Sequence, residues 1–354
     1  MMMAARLSFR LLVCAVFVTC GLFMLRLWSQ KTIQLSGPNS LVRTLSLDKA
    51  ARSSIPNQVH YVFLLAEPNA DFPFLFYHYL SVYSALFFMR PDKIILTTNA
   101  NDEQITRARN GSAGKWAKLI FDTPGLTLNH VEMITRTPRG VEIGAIEHRS
   151  DFARVGAVQK FGGLYIDFDA FVLRDIKALR ESGFNTIGGR EPGGRVNSGI
   201  FMASKNSKAL RTWAEMMPER FDQGWMTHSN DLLTTIAEQL VPEGEALIME
   251  QQAFAPGAWE DNDIKRLFEP HDDVPSNLER LAKGEPLPAP EDDRPEWAWN
   301  WNKTYILHAY RIEDTDRNWI TPRSLLDRRS DFARAVYPAV KSLYDNAAIA
   351  AEEA

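Results

Sequence analysis

The chain has 354 residues, 45% hydrophobic and 24% charged, so it can bury a large core and is neither a disordered segment nor a small disulfide-held scaffold. Its formal net charge is −4, and removing Arg6, Arg10 and Arg26, the only charged side chains among residues 1–30, leaves −7 for the remainder. Bulk attraction for nucleic acid is therefore disfavoured, and a phosphate-bearing ligand would need a metal ion or a few local Arg and Lys residues.

Both cysteines, Cys14 and Cys20, lie in the N-terminal apolar run, so the rest of the sequence has no thiol for a disulfide, a zinc site or a nucleophile. That run, Leu11 to Leu25, is 15 uncharged residues between Arg10 and Arg26. A spanning helix takes about 17–25 residues. Adding Leu7, Phe9, Leu27 and Trp28, with the flanking arginines snorkelling, reaches that length. A cleaved signal peptide competes, although Arg26, Leu27 and Trp28 stand where small cleavage-site residues belong; a buried soluble helix is the third reading. The expectation is a cytosolic tail over residues 1–10, a signal-anchor transmembrane helix over 11–28, and a luminal domain in a single-pass type II protein of the Golgi or ER membrane. The sequons Asn110-Gly-Ser and Asn302-Lys-Thr agree with luminal exposure.

Residues 29–54 are polar, poor in aromatics and broken by Gly37-Pro38, as in a stem. The folded domain is expected over about 55–345, with a C-terminal tail at 346–354. Val59 to Leu65 and Lys93 to Thr98 read as strands around a helix at Phe74 to Met89, a pattern of parallel neighbours in an α/β sheet. Ser150 to Lys160 reads as a second helix stopped by Gly162-Gly163, followed by a strand from Leu164 to Phe168. Gly199 to Ala203 is a buried strand and Ser207 to Met217 a helix. Residues 270–296, rich in Pro, Asp and Glu, read as a surface loop. Trp297, Trp299 and Trp301 form a period-two row, read as a half-buried strand or as a stacking surface for an acceptor sugar. Arg149-Ser-Asp-Phe-Ala-Arg154 recurs as Arg329 to Arg334, without the glycines and aspartates that follow the first copy, and reads as a coincidence in a C-terminal helix.

The chemistry concentrates in Ser150 to Leu173, SDFARVGAVQKFGGLYIDFDAFVL. Asp151 and Arg154 are three apart and share a helix face. In the following strand Leu164, Ile166 and Phe168 point one way, while Tyr165, Asp167 and, if the extension persists, Asp169 point the other. This gathers two carboxylates at the carboxyl end of a strand, where open α/β sheets bind ligands. Two neighbouring carboxylates repel unless one protonates or a cation joins them, and Mn²⁺ or Mg²⁺ suits oxygen ligands while leaving positions for phosphate oxygens.

The pattern S-D-x-x-R followed by G-G-x-Y-x-D-x-D resembles the sugar-nucleotide signature of family 32 glycosyltransferases, and it is similar to the catalytic domain of the large clostridial glucosylating toxins. The close match covers about twenty-five residues, with looser likeness from Ile55-Pro56 to Asn197-Ser-Gly-Ile-Phe-Met. The resemblance implies a single GT-A-like α/β domain with a mixed, mainly parallel sheet. It further implies that Asp151 and Arg154 contact the donor sugar, that Tyr165 lies near the nucleotide, that Asp167 holds the ribose or sugar and Asp169 the metal, and that Asn197 lies close to the transferred sugar. Asp151 as a helix cap and Tyr165 as cleft-wall packing are the plainer alternatives. The sequence departs from the family at Thr227-His-Ser-Asn-Asp231, where Asn230 and Asp231 are candidates for the acceptor side. His308 is a candidate metal or diphosphate contact, or else a histidine at the core edge.

The implied activity is metal-dependent transfer of a hexose, with retention, from a nucleoside diphosphate sugar to a glycan, glycolipid or protein. A non-catalytic sugar-nucleotide or glycan-binding protein, or a sugar-nucleotide hydrolase, is the alternative.

Overall fold

The computed structural model describes residues 54–289, 294–312 and 320–353. The expected tail and anchor, and the stem up to residue 53, lie outside them. No described helix is long and apolar enough to cross a membrane.

The chain opens with β1 (Gln58–Val62), α1 (Phe76–Met89), β2 (Lys93–Thr98), α2 (Asp102–Asn110), α3 (Lys115–Phe121) and β3 (Leu126–His130). The segment that carries the motif follows as α4 (Ile146–Phe161), β4 (Gly163–Ile166) and β5 (Ala170–Val172). Then come α5 (Lys177–Arg180), β6 (Thr186–Arg190), β7 (Val196–Ala203), α6 (Lys208–Arg220), a π-helical turn at Thr227–Asp231 and α7 (Leu232–Leu240). The last part holds β8 (Ala246–Met249), α8 (Gln251–Phe254), α9 (Asp261–Phe268), α10 (Asn277–Ala282), β9 (Ile306–His308), α11 (Pro322–Asp327) and α12 (Asp331–Asp345).

Seven strands form one mixed sheet in the order β3-β2-β1-β4-β7-β6-β8, and β7 runs against both of its neighbours while the other pairings are parallel. This is the mixed, mainly parallel α/β sheet expected from the alternation of strands and helices. Residues alternate across it as the pleat requires: Leu164 and Ile166 enter the core layer that includes α1, whereas Tyr165 packs with Val155, Val158 and Trp213 on the opposite face. Pro91 and the left-handed Arg90 (φ 47°) end α1 and turn the chain directly into β2.

Gly162-Gly163 does more than stop α4. Both have positive φ, +71° and +112°, and a Cβ on Gly163 would sit 2.6 Å from the Gln58 carbonyl oxygen. A bulkier residue would push β4 off β1, where Val59 pairs with Leu164.

Three expectations need correction. The strand after the glycines ends at Ile166, and Asp167 to Asp169 belong to the turn beyond it. Residues 270–296 are not all loop, because Ser276 caps α10 by accepting from the Glu279 amide. The tryptophan row is not a strand: residues 296–298 form a turn and Trp301–Lys303 a short 3₁₀ helix. Its rings are held from the side, Trp297 stacked on His271 at 3.7 Å and Trp299 under Arg266 at 4.7 Å. Beyond α12 the chain folds back, burying Ile349 and pairing Glu353 with Lys115.

Candidate active site

Helix α4 carries Asp151 and Arg154 well inside its span, so Asp151 does not cap the helix. Their side chains form an ion pair at 3.3 Å. The Arg154 guanidinium also reaches Asp167 at 3.4 Å and donates to the Ser198 carbonyl at 3.2 Å. It lies over the Tyr165 ring, 4.8 Å from the centroid, and the Tyr165 hydroxyl donates to Asp167. Burial alone would pull the arginine's proton affinity down, but Asp167, Tyr165, Asp151 and Asp169 together raise it, so the guanidinium stays charged.

The turn after β4 is fixed from both sides. The Asp167 amide donates to the Gly199 carbonyl at 2.9 Å, continuing the β4–β7 ladder by one bond. Phe168 turns into a cluster of aromatic rings, 4.7 Å from Tyr61 and 5.2 Å from Phe74. The two aspartates are thereby held toward the cleft while the residue between them anchors the turn. Gly199 is required opposite them, since a Cβ there would lie 2.4 Å from an Asp167 carboxylate oxygen.

His308 arrives from the far end of the chain through a small second sheet. Strand β9 pairs antiparallel with β5, setting His308 across from Ala170, and the Ala309 amide donates to the Asp169 carbonyl at 2.9 Å. The imidazole Nε2 lies 3.3 Å from the Asp169 carboxylate. Burial disfavours charge on both groups, yet their mutual attraction prevails: Asp169 is held below the usual carboxylate range and His308 above the usual imidazole range. Asp167 is raised by burial against the opposing pull of Arg154.

One donor atom each from Asp167, Asp169 and His308 can be chosen so that all three lie within 4.8 Å of one another. Two oxygens and an imidazole nitrogen in a half-buried cleft could hold a divalent metal ion. Asp167 is already engaged by Arg154 and Tyr165, whereas among the described residues the only side chain ion-paired with Asp169 is His308, which leaves Asp169 the better placed of the two carboxylates to face an ion.

These residues line a cleft of about 790 Å³ together with Asn197, Glu191, Asn230, Tyr310 and Trp225. Asn197 is present but largely committed: its carbonyl accepts from the Gly199 amide at 2.7 Å, and its amide group donates to Glu191 at 2.6 Å and to the Tyr310 hydroxyl at 3.3 Å. Only the second lone pair of its carbonyl remains for a ligand. Asp231 is not brought into the cleft, since it sits at the end of the π-helical turn and pairs outside with Arg195. Its neighbour Asn230 lines the cleft instead, donating to Glu191 at 2.7 Å and accepting from Ser198 at 2.6 Å.

Three residues escaped the sequence reading. Glu191 is buried and ties together the amides of Asn197 and Asn230; its signal was the following Pro192-Gly193-Gly194 turn, a common way to hold a residue at a cleft. Tyr310 stacks on His308 at 3.9 Å. His228, fully buried, places Nε2 2.9 Å from Asp151 Oδ2, and because a carboxylate only accepts, that nitrogen carries the proton.

Residues 81–192 match the family described as the glycosyltransferase sugar-binding region containing a DXD motif. That match takes in about a third of the chain, and over it the chain is similar to the DXD glycosyltransferases. The resemblance read from Asp151 to Asp169 is thereby borne out, and the sugar-binding region also includes Glu191, while Asn197, Asp231 and His308 lie beyond it. Glucan organizing enzyme 1 of Cryptococcus neoformans var. grubii is similar, at 25% identity over 230 residues that make up 61% of this chain. The chain covers 58% of the length of that relative. Among solved structures, the glycosyltransferase GlyE of Streptococcus pneumoniae TIGR4 aligns over 83% of this chain and 64% of its own, with 13% identity and a TM-score of 0.39. The catalytic domain of alpha-toxin from Clostridium novyi aligns over 58% and 66% respectively, with 10% identity and a TM-score of 0.32. Likeness at these scores is loose.

Proposed function

We propose that this chain is a GT-A-type hexosyltransferase that takes its sugar from a nucleoside diphosphate donor and passes it to a hydroxyl of a glycan, glycolipid or protein. The observation that carries the reading is the convergence of Asp151, Arg154, Asp167, Asp169 and His308 on one cleft, four of the five within the matched sugar-binding region. Asp169 and His308, with Asp167 beside them, would hold Mn²⁺ or Mg²⁺. When bound, such an ion neutralises charge on the departing diphosphate.

The chain's own side chains do the positioning. Arg154 is a cation fixed by three carboxyl and carbonyl partners, so it can receive a sugar hydroxyl or phosphate oxygen without having to be ordered first. Asp151 and Asp167 offer acceptor oxygens for donor hydroxyls. In the transfer itself the acceptor oxygen bonds to the anomeric carbon as the carbon–oxygen bond to diphosphate breaks, and the hydroxyl proton passes to the departing diphosphate. That route requires no protein base and supports retention of configuration, as in the family it resembles.

The reading extends to a luminal domain tethered in a Golgi or ER membrane by residues 11–28. Its support is the apolar run Leu11 to Leu25 and the surface position of both sequon asparagines, Asn110 and Asn302.

The deciding experiment incubates the full chain in detergent with a panel of nucleoside diphosphate hexoses and Mn²⁺, with and without oligosaccharide acceptors, and identifies products by mass and proton NMR. Transfer that stops with EDTA and in Asp169→Asn supports the reading. Free hexose as the sole product would make the chain a hydrolase, and donor binding that ignores both chelator and substitution would leave a binding protein. A β-linkage formed from an α-linked donor would remove retention.

A further inference from the structure

Trp225 is left unused by the chemistry above, and its placement is unusual. It is 65% exposed, the most exposed large hydrophobic residue among those described, yet it lines the cleft. A tight turn presents it. The Gly224 amide donates to Asp222 Oδ1 at 2.8 Å, Gln223 adopts φ 69°, and a Cβ on Gly224 would collide with Thr227 Oγ1 at 2.7 Å. A continuous wall then leads inward: Trp225 to His148 at 5.4 Å between ring centroids, His148 to His228 at 5.0 Å, and His228 to Asp151 at 2.9 Å.

We infer that Trp225 is the stacking surface for the acceptor, and that the acceptor is a glycan presenting a pyranose ring. This rests on the glycosyltransferase reading and narrows its acceptor from three classes to one. A pyranose has an apolar face of C–H bonds and a rim of hydroxyls. The electron-rich face of an indole attracts such C–H groups, as it does the positive edge of another ring. The hydroxyl rim finds polar groups lining the same cleft, the exposed Glu147 and the Ser229 hydroxyl, which donates to the Trp225 carbonyl at 3.4 Å and can still accept.

The alternatives fit less well. A lipid chain needs a contiguous exposed apolar groove. Of the four exposed large hydrophobics described, Leu75, Phe87, Trp225 and Val241, only Trp225 lines the cleft, and the other aromatic rings along it, Phe63, Tyr77, Phe168 and Trp259 among them, are partly buried, so Trp225 is its most exposed apolar plate, about the size of a single sugar ring. Nor do Trp297, Trp299 and Trp301 fill the role, because none of them lines the cleft.

The test uses the full chain in detergent with Mn²⁺. Calorimetry with UDP and GDP measures the donor side, and saturation-transfer NMR with methyl glycosides of glucose, mannose and galactose, recorded with the tighter nucleotide bound, measures the acceptor side. In Trp225→Ala, glycoside binding should weaken roughly five- to tenfold, as for loss of one aromatic stack. Trp225→Phe should recover part of it, and nucleotide affinity should stay within about twofold in both variants. Glycoside binding unchanged in Trp225→Ala, or no glycoside bound by the wild type with nucleotide in place, would overturn the inference. So would a loss confined to the nucleotide, which would place Trp225 on the donor side. Failure of the wild type to bind either nucleotide would instead defeat the glycosyltransferase reading beneath it.

Discussion

The hexapeptide Arg-Ser-Asp-Phe-Ala-Arg occurs twice in this molecule and does two different jobs. At residues 149–154 it lies inside α4, where Asp151 faces the cleft between Arg154 and His228. At residues 329–334 it starts a helix: Ser330 caps α12 by accepting from the Ala333 amide, and Asp331 accepts from the Trp299 amide at 2.8 Å. Phe332 is fully buried against Phe171 and Phe268, and Arg334 lies over Trp297. Identical residues thus build a ligand-facing wall in one place and a helix start in the other. The difference is register against the rest of the fold, since five helical residues precede Asp151 and none precedes Asp331.

The contrast can be broken most forcefully at the first copy. Asp151→Asn should lower donor turnover by about 100- to 1000-fold, the scale of losing a preorganised polar contact in an active site, with little change in melting temperature. Turnover within threefold of wild type, measured as kcat/KM for the donor, would mean that both copies are architectural. Next in size is the facing strand. Gly199→Ala places a methyl group where the Asp167 carboxylate lies, and a displacement of that kind should reduce turnover about 100-fold. An unchanged rate would show that Asp167 has room to move.

His228 sharpens the comparison, because Asp151 faces its Nε2 whereas Asp331 accepts from the backbone amide of Trp299. His228→Phe keeps the ring among Phe152 and Phe221 but removes the donor to Asp151, and should weaken donor affinity about tenfold, as for a hydrogen bond to a charged group. His228→Gln, which can restore an N–H, should recover part of the loss. Equal effects of the two variants in calorimetric titration would assign His228 to packing alone.

The smallest effect on turnover belongs to Asp331→Asn, which should leave it unchanged while altering stability. Burial pushes Asp331 up to about 6, and its Oδ2 has no hydrogen-bond partner among the described residues. The folded state therefore holds this proton more tightly than the unfolded chain, whose aspartates titrate near ~4. The associated stability is full below that pH and is lost as pH rises through 6. Asp331→Asn should raise the melting temperature relative to wild type at pH 7 and make little difference at pH 4. Parallel melting curves across that range would deny the burial argument.

How far the sequence could foretell this depends on the length of the pattern carrying each feature. The Asp151 to Asp169 segment was legible because a helix period, two glycines and a strand alternation follow one another within a single stretch. Asn230 and Asp231 were separable only by structure: the π-helical turn decides which of two adjacent polar residues faces inward, and a five-residue turn leaves no periodic trace. His308 was a candidate without a partner, because β9 is three residues long and its pairing with β5 is non-local. The tryptophan row misled in the opposite direction. Alternation over five residues imitates a strand, whereas here Trp297 lies against His271 and Arg334 and Trp299 against Arg266, groups distant in sequence.

The pairing of β5 with β9 has a consequence for synthesis. A growing chain acquires both aspartates of the motif long before it acquires His308, and the Asp169 carbonyl waits for the Ala309 amide. Until Ile306 to His308 has been made and docked, Asp169 lacks the imidazole that lies 3.3 Å from its carboxylate. Prematurely terminated copies that keep the whole Asp151 to Asp169 segment would have an unfinished cleft, so completion of the chain acts as a built-in check on assembly of the site.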